Sequence, residues 1–134
     1  MKKLFLILSC LFCMSAFDAI AQNYKFMSTD FAVKVKQDNG YWSDWSDWQE
    51  SHCLININLD REEVNIYSKE PQEFTIYSVM DSEIDSDGGE QFKMKCVDGE
   101  GLRCTIRLRV QSDGQKQLYV DYSDLMYVYC IEAK

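Results

Sequence analysis

The residues of this chain most able to do chemistry by type and spacing lie in Tyr41-Trp42-Ser43-Asp44-Trp45-Ser46-Asp47-Trp48, which holds all three tryptophans at intervals of three. Indole faces stack on sugar rings or on an aromatic ligand, and Asp44 and Asp47 could accept hydroxyl hydrogens beside them. An interval of three lines side chains along one edge only in a polyproline-like segment. In a flat strand Trp42 and Trp48 would share a face and Trp45 would oppose them. The competing reading is that at least two of the rings cap one end of the core, since burying a large aromatic is strongly stabilising. Trp42, Trp45 and Trp48 are the expected ligand contacts if the rings are exposed.

Cysteines form the second group. Cys10 and Cys13 fall in an N-terminal segment read below as a removable leader, which leaves Cys53, Cys96, Cys104 and Cys130. An even number in a small exported domain points to disulfides. Phe92, Met94 and Cys96 share one face by alternation, and so do Cys104, Ile106, Leu108 and Val110. A turn centred on Glu100, between Gly99 and Gly101, would set Cys96 opposite Cys104 with both side chains inward. Directly opposed strand partners are close enough to bridge with modest adjustment, so a Cys96–Cys104 disulfide is expected, with Cys53–Cys130 as the remaining pair. No metal site is expected, because no C-x-x-C spacing occurs and His52 is the only histidine.

The other candidates are thinner. Glu83-Ile84-Asp85-Ser86-Asp87-Gly88-Gly89-Glu90 has the composition of a calcium loop. Counting from Glu83, however, the bidentate glutamate of an EF-hand frame falls on Met94, and a solvated turn is the better reading. His52 and its neighbour Cys53 would point to opposite faces of a strand, so they form no nucleophile–base pair. No G-x-S-x-G elbow, phosphate loop or dinucleotide fingerprint is present. A glycosidase-like pair among the many carboxylates is the remaining route to catalysis, and most of these fall in turns. Tyr119, Tyr122, Tyr127 and Tyr129 could line a cavity, although alternation sets Tyr127 and Tyr129 against Val128 and Cys130. Only one of those two sets can be inside.

The elements that must position these residues read as β-strand throughout. Met1-Lys2-Lys3, the apolar run Leu4 to Phe17 and Ala19-Ile20-Ala21 make a secretory signal with cleavage before Gln22. A lipoprotein signal ending at Cys10 is disfavoured because it would leave Leu11 to Phe17 as an apolar stub. The expected organisation is a signal peptide over 1–21 and one all-β domain over 22–134, placed in the periplasm, at the cell surface or in the medium. After Gln22 no apolar run is long enough to span a bilayer. The formal charge of −8 becomes one unit more negative without Lys2, Lys3 and Asp18, and so disfavours nucleic acid and anionic membranes as partners.

Alternating runs occur at Phe31–Val35, Cys53–Leu59, Val64–Ser68, Phe74–Val79, Phe92–Cys96, Cys104–Val110, Leu118–Tyr122 and Tyr127–Ile131. Turn residues separate them. About eight antiparallel strands in a meander predict a small up-and-down, lipocalin-like barrel, with a two-layer sandwich as the alternative. A barrel also removes the exposed edges that template aggregation.

Two local patterns in the tryptophan segment are set aside. Trp42-Ser43-Asp44-Trp45-Ser46 matches the W-S-x-W-S box of class I cytokine receptors, but that box closes a fibronectin-like domain and here it stands near the start. The tryptophan series of thrombospondin type 1 repeats is matched as well, without that family's surrounding cysteines. Across the mature chain, the Ala-Gln boundary, Trp-Ser-Asp-Trp, Val64-Asn65-Ile66-Tyr67-Ser68, the Cys96…Gly101…Cys104 hairpin and Leu118-Tyr119-Val120-Asp121-Tyr122-Ser123-Asp124 resemble small exported β-rich proteins of unknown function found in Bacteroidetes. That resemblance implies export and a β fold and carries no site residues. The expected function is a non-enzymatic, cofactor-free binding module for a glycan or small apolar ligand. A protein-interaction factor, such as an inhibitor or envelope accessory subunit, is the alternative, and a carboxylate-based hydrolase ranks last.

Overall fold

Period-two alternation is realised as strand after strand with one face turned to a common interior. The computed structural model describes residues 22–134, and the expected leader, with Cys10 and Cys13, lies outside the described residues. The strands are β1 (Asn23–Val35), β2 (Gln49–Glu50), β3 (Leu54–Asn58), β4 (Glu63–Tyr67) and β5 (Gln72–Val79). They continue as β6 (Glu83–Ile84), β7 (Glu90–Asp98), β8 (Arg103–Val110), β9 (Lys116–Asp121) and β10 (Leu125–Ala133). All pair antiparallel in the order β1-β3-β4-β5-β7-β8-β9-β10, and β10 pairs back onto β1. This is the expected up-and-down barrel, closed by its first and last strands. The short β2 and β6 attach outside the hoop, to β1 and β7.

Ile55, Val64, Ile66, Ile106, Leu118 and Val120 are fully buried in the hoop. Each removes enough apolar surface from water to stabilise the fold by roughly 1.5–3 kcal/mol. Side chains therefore fill the middle of the barrel, as an eight-stranded hoop requires. Two bulges adjust the wall, one between Ser28 and Asp30 in β1 and one between Ile76 and Ser78 in β5. At the first, the inward set changes phase from Tyr24, Phe26 and Ser28 to Phe31, Val33 and Val35.

The β7–β8 turn illustrates the local chemistry. Asp98 N–H donates to Leu102 O at 2.9 Å and Gly101 N–H donates to Asp98 O at 3.0 Å. Gly101 sits at φ +86°, where a side chain is strained. The Asp98 carboxylate accepts from Glu100 N and Leu102 N, both at 2.9 Å, which fixes the register from the turn outward. The same three-residue turn recurs at Gln37–Tyr41, Asp85–Gly89 and Gln111–Gln115.

That register sets Cys96 opposite Cys104, both buried, as expected. The bridge itself is absent, and the four described cysteines are free thiols. The turn explains why. Asp98 and Leu102 form a hydrogen-bonded pair, so two residues further on Cys96 and Cys104 occupy the same wide type of site, where opposed Cβ atoms stand about 5.5 Å apart. A disulfide wants Cβ atoms about 3.5–4.5 Å apart. The Cys96 thiol instead donates to Met94 O at 3.7 Å. The second expected pair is also corrected. Cys53 packs against the interior cluster, whereas Cys130 alternates with Tyr129 and Ile131 on the outer face. The barrel wall stands between the two thiols.

Candidate functional site

The tryptophan segment owes its spacing to β1. Ser43 N–H donates to Val35 O and Ser46 N–H to Val33 O, both at 2.8 Å. In return Ser46 Oγ accepts from Val33 N at 2.9 Å and Ser43 Oγ from Val35 N at 3.0 Å. Three residues of the segment thus match two of β1, with each serine supplying both donor and acceptor. The segment therefore lies against the edge of β1, and Trp45 and Trp48 stand on the outside of the barrel.

There Trp42 and Trp45 flank the Lys34 ammonium, which lies 5.7 and 4.7 Å from their ring centres. Trp45 meets Tyr119 edge-on at 6.2 Å. The Arg107 guanidinium lies 4.1 Å from the Tyr119 ring centre and is held by both oxygens of Asp121. The run Trp42–Lys34–Trp45–Tyr119–Arg107 is a ladder of alternating aromatic and cationic groups. Between the tryptophan segment and Tyr119 on β9 run β1 and β10. On the outer wall of those two strands Ala32 and Val128 pair in register and are 1% and 2% exposed. Trp45 is 38% exposed and Trp48 52%, so neither is core. The three rings are not equivalent, because the Lys34 ammonium stands against Trp42 and Trp45, whereas Trp48 lies further along.

Both mouths of the hoop are concave. At the mouth formed by the start of β5 and the end of β7, a depression of about 600 Å³ is lined by Gln72, Asp98, Tyr122 and Tyr127. Tyr127 OH donates to Gln72 Oε1, Gln72 Nε2 donates to Tyr129 OH at 3.2 Å, and Tyr122 OH donates to Asp98 Oδ2 at 2.8 Å. Burial pushes the Tyr122 and Tyr127 hydroxyls up, so both remain proton donors. Tyr127 and Tyr129 are therefore the inside set, and Tyr119 is outside.

The opposite mouth differs in character. A cup of about 480 Å³ is lined by Phe26, Ile57, Phe92, Met94, Leu108 and Val110, with Tyr24 and Leu59 beside them. Phe26, Ile57, Phe92 and Met94 form its buried floor, while Leu108 and Val110 are half-buried in its wall. Sequence reasoning placed Leu108 and Val110 on the inner face but did not gather these residues into a cavity. The signal that would have found them is their position, since all but Met94, which is central in β7, lie in the half of their strand that faces one end of the meander.

The remaining candidates are structural. Asp85 Oδ1 accepts from Asp87 N and Gly89 N at 3.0 Å each, and Asp85 Oδ2 pairs with Arg109 Nε at 2.8 Å. The Arg109 bond, with those amides, holds the Asp85 carboxyl below its ordinary value. The acidic loop is thus pinned to β8. Among the described residues no group of three or more histidines, cysteines or carboxylates could hold a metal. His52 is exposed beside Glu50, at 3.9 Å, while Cys53 faces inward. The chain matches no protein-family model, no curated protein and no solved structure.

Proposed function

We propose that the protein is an exported, non-enzymatic binding module whose ligand seats an apolar group in the cup at the β1-start, β10-end mouth. The observation that supports this reading is the cup itself. It is a concave surface of aromatic and aliphatic side chains open to solvent, the commonest form of small-molecule site. A fold that needed only stability would close such a mouth, since exposed apolar wall forfeits burial energy. The test is binding of the neutral fluorophore N-phenyl-1-naphthylamine. Saturable fluorescence enhancement is expected, lost in Leu108→Asp, which puts a charge in the cup wall, and kept in Leu102→Asp at an exposed site in the β7–β8 turn. Equal binding by both variants would refute the reading, provided near-UV circular dichroism shows the native barrel in each.

A second reading, a glycan on the outer wall, is favoured by one observation: the half-exposed Trp48 ring next to exposed Asp47. It requires that Trp48→Ala abolish retention on a glycan array while the cup ligand still binds.

A further inference from the structure

We propose that the apolar cup takes one linear aliphatic carboxylate, chain inward, with its head group at Lys116; this rests on the reading of the cup as the binding site. Lys116 pairs with Val110 and Ile131 and so belongs to the inward-facing set of β9 with Leu118 and Val120. It is the last such position before the Gln111–Gln115 turn. Its aliphatic stem therefore runs along apolar wall while its ammonium, 3.5 Å from Gly114 O, stands at the opening. Lys25 and Lys134 line the same rim, against one acidic side chain, Glu90.

The contrast with the rest of the molecule gives this weight. The chain carries a formal charge of −8, yet this rim has an excess of cationic side chains. The other mouth is the reverse, lined by Glu70, Glu73, Asp98, Glu100 and Asp124 with no lysine or arginine. A cationic rim over an apolar floor complements an anionic amphiphile and opposes a cationic one. The floor fixes the shape of the guest. Ile106 and Leu118 beneath it are fully buried, so the cup ends blind and holds the end of a single chain rather than a bilayer surface.

The experiment is competition for N-phenyl-1-naphthylamine at pH 8 by decanoate, decanol and decylamine, which share a chain and differ in head charge. Decanoate should compete about fivefold better than decanol, the gain expected of one or two exposed ion pairs, with decylamine weakest. Salt at about 1 M should erase that advantage without weakening decanol. Lys116→Glu should invert the order of decanoate and decylamine and leave decanol unchanged; Lys116→Gln should bring decanoate close to decanol. Equal competition by all three would overturn the carboxylate assignment while leaving the cup as the site. Failure of all three to compete with a fluorophore that binds would overturn it as well. A fluorophore that does not bind removes the underlying reading. Binding to phosphatidylglycerol vesicles without competition by decanoate would also overturn it.

Discussion

Replacing Ser43 and Ser46 by alanine should loosen the tryptophan segment, and unequally. Each hydroxyl oxygen accepts one β1 amide hydrogen, from Val35 for Ser43 and from Val33 for Ser46. An amide stripped of its acceptor costs about 1–3 kcal/mol when water cannot replace it, and far less when it can. The Val35 bond is exposed, so Ser43→Ala should cost about 0.5 kcal/mol. The Val33 bond is partly buried, so Ser46→Ala should cost about 1.5 kcal/mol. The double variant then loses about 2 kcal/mol, a fall in Tm of roughly 8 °C for a domain of this size. Urea unfolding followed by circular dichroism gives the energies, and the tryptophan emission maximum reports release of the segment. Ser46→Thr keeps the oxygen and should keep the stability. The reasoning fails if Ser43→Ala costs as much as Ser46→Ala, or if Ser46→Thr behaves like the alanine variant.

Trp45→Ala should uncover Ala32 and Val128 and cost about 1–2 kcal/mol in the same assay, while Trp48→Ala stays within about 0.5 kcal/mol of the parent. Burial, with Cys104 beside it, pushes the Cys96 thiol up to about 12, and burial, with Asp98, pushes Cys104 up to about 11. At pH 8 iodoacetamide should therefore label Cys53 and Cys130 well before either, and denaturant should equalise all four. A Cys53–Cys130 linked peptide in non-reducing mass spectrometry would contradict their placement on opposite faces. Burial acts to raise the Asp98 carboxyl, but the bonds from Leu102 N, Tyr122 OH and Glu100 N outweigh it and hold it below its ordinary value. Its stabilisation is thus full above the ordinary carboxylate range and lost as pH falls through the lowered value. Asp98→Asn should flatten the acid limb of the stability–pH curve, and an unchanged limb would refute that assignment.

Much of the barrel was legible because one burial rule governs every wall strand. Ile55, Ile57 and Ile106 alternate cleanly and are buried where alternation put them. Glycine-marked turns gave the β7–β8 register down to the opposed cysteines. The first half of β1 was not legible, because the bulge after Ser28 shifts the inward phase by one residue and hides Tyr24 and Phe26 from a period-two reading. The disulfide was overread for a related reason. Sequence shows that two residues face each other, whereas the hydrogen bonds of the turn decide whether the pair is wide or narrow. The interval of three left an exposed edge and a core cap open, because only the serine pairing with β1 sets which way the rings point. What meets those rings was out of reach, since the hairpin register brings Lys34 back onto Trp42 and Trp45, and Tyr119 approaches from β9, distant in sequence. The cup was out of reach because it gathers residues of several strands around one end of a circle.

The seam between β1 and β10 joins residues far apart in the chain; Thr29 and Cys130, which touch across it, are 101 positions apart. Every other strand pairing of the ring joins strands that follow one another around it, so much of the sheet can assemble while the ring stays open. Shutting it is a single late event of large loop-closure cost, and both mouths acquire their shape only then. An emerging polypeptide would expose the floor residues Phe26 and Phe92 until β10 arrives. Deleting β10 should therefore leave a sticky, open sheet instead of a smaller barrel.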